Sequence, residues 1–249
     1  MFTTMLIAQA TNIQVGTDIT HKFFGITFDV DILGSTILAG VILLGLGFYL
    51  RKKATNKVPG KLQLLFEVVI EAVQNQVSSS IGPEGASVVP LAITLFFFIL
   101  IANWIEIIPT GIHPEYLPAP TGNVNLTYAL AFFVIILVHI ASVRKLGIKG
   151  YTQHYFKPAS LPIIGRLAMF PVNLIEEIAK PFTLALRLFG NLFAGGLMVL
   201  LIATLFMPVI VVPVDIVWKL FDMFIGLIQA FIFALLTILY FEMAMSESH

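Results

Sequence analysis

The sequence predicts an all-α polytopic membrane protein. About five helices are embedded in the membrane, one amphipathic helix lies along its surface, and a long, steeply tilted helical hairpin closes the chain. Three observations carry this. Of 249 residues, 58% are hydrophobic and only 11% charged, a balance far from that of soluble domains. Several apolar runs reach the ~20 residues that a helix needs to cross a bilayer core. Lys and Arg gather in alternate loops, as in multi-pass proteins. The same composition excludes much. Net charge is zero, which argues against a basic nucleic-acid surface. Cysteine is absent, so there is no disulfide, thiolate metal site or Cys nucleophile. The five histidines are scattered, implying no metal site. No Gly-Lys-Ser/Thr phosphate loop occurs. Neither a cofactor nor catalytic chemistry is expected in this chain, and it shows no internal repeat, linker or second domain.

Residues 1–31 are mixed and polar and read as a solvent-side segment. Ala8-Gln9-Ala10 resembles a signal-peptidase site, but the stretch before it is short and has no basic start, so an uncleaved N-terminus is expected. Residues 32–50 form the first spanning helix. Arg51, Lys52, Lys53, Lys57 and Lys61 follow it and mark the inner side. In 62–77, Leu62, Leu65, Phe66, Val69 and Val73 share one helical face, while Gln63, Glu67, Glu71 and Gln74 share the other. This amphipathic helix is expected along the cytoplasmic interface; packing on its own bundle is the other reading. Residues 88–108 span next and carry Asn103, Trp104 and Glu106 near their end, where Pro109 stops them. The loop 110–125 has no Lys or Arg and reads as outer. Residues 126–143 return, and 144–166 bring five more basic residues to the inner side. Residues 167–179 are expected as a short helix containing Glu176 and Glu177, and Pro181 as the first turn of the next. The tilted hairpin then runs to residue 245, with a turn near Pro208 and Pro213. Parity puts the N-terminus outside and the C-terminus inside.

Arg187 is the anomaly of this hairpin. After Lys180, it and Asn191 are the only strongly polar residues before Asp215. An arginine there costs roughly 3 kcal/mol on insertion scales, cannot shed its proton, and is by default a functional-site hypothesis. Helices of thirty-odd residues would run roughly 45–50 Å against a core of about 30 Å, hence the expected tilt. A hairpin pivoting near Pro208 brings Arg187 and Gln229 to one depth, and Gly196 and Asp222 to another. Asp222 and Gln229 share a helical face, as do Arg187 and Asn191. Such a seam reads as the lining of a water or proton path, or as polar glue between helices worth about 0.6–2 kcal/mol per pair. Glue does not account for Arg187.

Arg187-Leu-Phe-Gly-Asn191, preceded by Lys180-Pro181, together with Gln229-Ala-Phe-Ile-Phe-Ala-Leu-Leu-Thr-Ile, closely resembles subunit a of the bacterial F-type ATP synthases. Asn103-Trp-Ile-Glu106-Ile-Ile-Pro109 fits the same family. The resemblance implies a stator in the bacterial plasma membrane, beside a rotating ring of c subunits, with peripheral-stalk b subunits and the remainder of the F1Fo complex as partners. Two half-channels would pass protons to and from ring carboxylates and so drive rotation and ATP synthesis. The motif arginine, Arg187, would face the ring, favour the ionised carboxylate and block direct leakage between the half-channels. Asn191 and Gln229 carry over as its polar neighbours. Where many members place Glu or His five residues beyond the motif asparagine, this chain has Gly196; Asp222 is expected to take over the titratable role in the outer half-channel, with Glu106 a lesser candidate. Glu176 or Glu177 would serve the inner one. The competing reading is a self-contained transporter or channel in which Arg187 binds an anion or pairs with Asp222.

Overall fold

The computed structural model describes residues 20–23, 26–55, 58–105, 118–154, 163–205 and 207–245. A small antiparallel hairpin, β1 (Thr20–Phe23) and β2 (Ile26–Asp29), pairs Thr20 with Asp29 and Phe23 with Ile26. Its strands lie inside the N-terminal segment, where no regular element was expected. Six helices follow: α1 (Val30–Lys53), α2 (Lys61–Ser80), α3 (Val89–Ile105), α4 (Val124–His154), α5 (Ile163–Leu205) and α6 (Pro208–Met245). Two 3-10 turns, Pro83–Ser87 and Pro120–Gly122, lead into α3 and α4. Five of the helices are long and apolar enough to cross a membrane; α2 is the exception.

The apolar runs dictate these elements, and burial sorts them into roles. α3 is apolar all round and lies at the centre, with Leu95, Phe96, Phe97, Ile99 and Leu100 buried. It packs most extensively on α6, whose Phe233 and Ile238 are fully enclosed. α1 is peripheral. Only Asp31, Ser35 and Ala39, spaced four apart, are buried, and Ala39 packs on Ala102 and Ile105 of α3. Small residues on that stripe let the two helices approach, while Leu33, Ile37, Val41 and Leu44 stay exposed for lipid or another chain. α2 packs on the bundle through one side and leaves apolar residues exposed on the other. Phe66 stacks on Phe97 at 4.0 Å between ring centroids, and Val73 and Val77 are buried. Leu62, Leu64, Leu65 and Val68 remain exposed, as for a helix lying in an interface.

Two boundaries differ from expectation. α4 runs past residue 143, but Gly147 breaks it with φ 71° and ψ 168°. This left-handed φ is open to glycine at little cost, and it separates the spanning helix from a short basic extension. The short helix expected over 167–179 is not a separate element: α5 continues from Ile163 through Pro171 and Pro181 to Leu205. Proline removes one backbone hydrogen bond and crowds the preceding turn, but packed membrane bundles tolerate it. At 43 and 38 residues, α5 and α6 would be about 65 and 57 Å long if straight, against a hydrocarbon core of about 30 Å.

Candidate functional site

The α5 sequence around the arginine has a helical period. Leu184, Ala185, Leu188 and Leu192 are buried in the bundle. Phe182, Leu186, Arg187, Gly190 and Phe193 occupy the opposite, exposed face. Arg187 therefore looks out of the bundle from an apolar surface. Among the described residues it forms no ion pair with a carboxylate.

Toward the hairpin turn, Asp222 of α6 lies against the backbone of α5. A Cβ built on Gly195 would sit 2.9 Å from Asp222 Oδ1 and 3.2 Å from its Cγ, so the carboxylate would have to shift to make room for any larger residue there. The facing residue is Gly195, one position before the Gly196 expected from symmetry about the turn. Trp218 Nε1–H, one turn from Asp222, donates to the Gly195 carbonyl at 3.2 Å and fixes the two helices in register. Three polar groups on the two helices have a buried atom without a hydrogen-bond partner among the described residues: Asn191 Nδ2, Gln229 Nε2 and Asp215 Oδ1. An unmet buried polar group costs about 1–3 kcal/mol. Such groups mark places where water, a proton or a further chain completes the site. Asp215, Asp222 and Gln229 recur every seven residues, hence nearly along one stripe of α6.

Toward the other end of α5, the two candidate acids separate. Glu176 is exposed. Glu177 Oε1 accepts from Lys180 Nζ at 2.8 Å, with both side chains largely covered. The same ammonium lies 5.8 Å from the centroid of the Tyr240 ring on α6. Lys180, Tyr240, Trp218 and Gly195 were not singled out as functional from sequence. Lys180 stands in the arginine motif and was visible there; the others are recruited by contacts between helices, for which sequence spacing gives no sign.

A third element, α3, also holds α6. Asn103 Nδ2–H donates to the Gly226 carbonyl at 3.1 Å, and Trp104 Nε1–H donates to that of Met223 at 3.2 Å. Asn103 Oδ1 accepts from the Thr121 hydroxyl at 2.6 Å. The expected site residue Glu106 lies outside the described residues.

Comparison with known proteins identifies the family. The family model described as "ATP synthase A chain" matches residues 33–242. The chain belongs to the ATP synthase subunit a family. The "ATP synthase subunit a" of Acidothermus cellulolyticus is 48% identical over 236 residues, covering 94% of this chain and 84% of its own length. That of Mycobacterium bovis is 46% identical over 260 residues and covers all of both chains. A more distant subunit a, from Shewanella baltica, retains 37% identity over 96% of this chain. Membership makes this chain a multi-pass membrane component of a bacterial-type ATP synthase, working within a larger complex. The resemblance carried by the arginine and glutamine motifs thus holds along the subunit a chain as a whole.

Proposed function

We propose that this chain is the stator of the Fo motor, with two proton half-channels that meet at Arg187 and exchange protons with carboxylates on a ring of c subunits. The observation that carries the reading is the placement of Arg187. It stands exposed on an apolar face of α5, without a carboxylate partner among the described residues. It is flanked by two different acidic environments. Gly195, which receives Asp222, is eight residues beyond it, about 12 Å along a helix; Glu177 is ten residues before it, about 15 Å. An exposed guanidinium in an apolar surface favours a partner that brings the negative charge, since attraction is strong where water is scarce. The passing ring carboxylate is that partner, ionised beside Arg187 and protonated elsewhere.

Asp222, Asn191 and Gln229 line the outer half-channel, with Glu106 as a further candidate. Their orphaned amide donors fit a seam that holds water. Glu177, rather than Glu176, serves the inner half-channel. It is the covered acid of the two, and Lys180 holds it near Tyr240. The basic residues at 51–61 and 144–166 support inner loops there, an outer N-terminus and a cytoplasmic C-terminus. Peripheral-stalk b subunits hold the chain against rotation. A self-contained transporter with an Arg187–Asp222 pair is less well supported, because Asp222 lies against Gly195 instead.

Purification through a tag on this chain tests the assembly. Recovery with a ring of small helical-hairpin subunits is expected; a lone monomer that moves protons by itself contradicts the proposal. Glu177→Gln is expected to slow proton-driven ATP synthesis severalfold in vesicles, and Glu176→Gln to leave it near wild type. Equal effects of the two changes, or a larger one at Glu176, would remove Glu177 from the inner half-channel.

A further inference from the structure

The 3-10 turn Pro120–Gly122 is plugged into the bundle between α1, α3, α4 and α5. Pro120 and Thr121 are fully buried. The Thr121 hydroxyl spends its one proton on Asn103 Oδ1, at 2.6 Å. That bond leaves the Asn103 amide a single orientation, because its NH2 group must then point the other way, where it meets the Gly226 carbonyl at 3.1 Å. Gly226 lies four residues after Asp222 and three before Gln229, on the same face of α6. It admits Asn103 because it has no side chain: a Cβ there would sit 3.2 Å from Asn103 Cβ and 3.4 Å from Nδ2. A flipped amide would set Oδ1 against the Gly226 carbonyl, two acceptors facing each other.

We infer that Thr121 is a positioning residue for proton uptake: its hydroxyl locks the Asn103 amide with N–H toward α6 and so fixes the stripe bearing Asp222 and Gln229. The inference rests on the outer half-channel proposed above. Thr121 touches neither the proton nor the arginine; it acts through Asn103.

The test uses assembled complexes in vesicles, freed of F1, and measures proton flux through the membrane sector. Thr121→Val keeps the shape and removes the hydroxyl. It is expected to slow flux about fivefold, the rate equivalent of one net hydrogen bond. Thr121→Ser, which restores the donor, is expected to return it to near wild type. Asn103→Leu abolishes the amide, so adding Thr121→Val to it should cost nothing more. Wild-type flux in Thr121→Val overturns the inference, as do failure of Thr121→Ser to rescue and independent, multiplying effects of the Thr121 and Asn103 changes. If Thr121→Val and Thr121→Ala both fail to assemble while Thr121→Ser assembles, the hydroxyl serves folding alone and the inference is also overturned. Asp222→Asn in the same vesicles separates the two levels. Unchanged flux there discards the outer half-channel itself, whereas slowed flux with a wild-type Thr121→Val discards only the role of Thr121.

Discussion

Arg187→Ala is expected to abolish proton-driven ATP synthesis while leaving the complex assembled. The side chain is exposed on α5 and makes no ion pair among the described residues, so its loss removes little from this chain's own packing. Its neighbours on the buried face, Leu184 and Leu188, hold the helix in place without it. What disappears is a fixed positive charge beside which a ring carboxylate can stay ionised in an apolar setting. Arg187→Lys is expected to recover little. An ammonium can lose its proton when desolvated, and it lacks the planar fork that meets a carboxylate with two hydrogen bonds. ATP synthesis by reconstituted complexes under an imposed proton gradient checks both. Synthesis near the wild-type rate in the alanine variant would sink the stator mechanism.

Asp222→Asn is expected to slow proton uptake by on the order of a hundredfold, the usual scale for losing a positioned proton-transfer group. Asparagine keeps the size and most of the hydrogen bonding but cannot carry a proton. The space at Gly195 already admits a side chain of this shape, so assembly should survive. Gly195→Ala should act in the same direction, because its Cβ would come within 2.9 Å of Asp222 Oδ1 and force the carboxylate away. Proton flux measured over a range of pH on the outer side decides the matter. A profile identical to wild type for Asp222→Asn would take this residue off the path.

The parts of the account that rest on local pattern were legible in the sequence. Apolar runs of spanning length locate the five long helices, and the two-faced pattern of 62–77 locates α2. Arg187 stands out, since a guanidinium in an apolar run is costly and is by default a functional-site hypothesis. Symmetry about the turn brought Asp222 to the right depth, and the structure places it one residue away, at Gly195 rather than Gly196. What the sequence hid depends on contacts far apart along the chain. Asn103 reaches Gly226 across 123 positions, and Trp104 reaches Met223 across 119. No periodicity encodes such pairings. Proline misled in one place. Pro181 read as the start of a new helix, whereas α5 runs through it, because neighbouring helices in a membrane bundle support a helix across a missing hydrogen bond. Glu176 and Glu177 were inseparable by spacing. Partial burial of Glu177 and its pairing with Lys180 distinguish them.

The central claim is that Arg187 divides two proton paths, and a leak measurement with the rotor immobilised addresses it most directly. The chain contains no cysteine, so a single cysteine introduced at the exposed Leu186 can be cross-linked to a ring subunit without side reactions on this chain. With the ring fixed, proton flux through F1-stripped vesicles should be near zero when Arg187 is present and should rise clearly in Arg187→Ala, because protons can then pass from one half-channel to the other without rotation. Equal flux with and without the arginine in the locked complex would contradict the account.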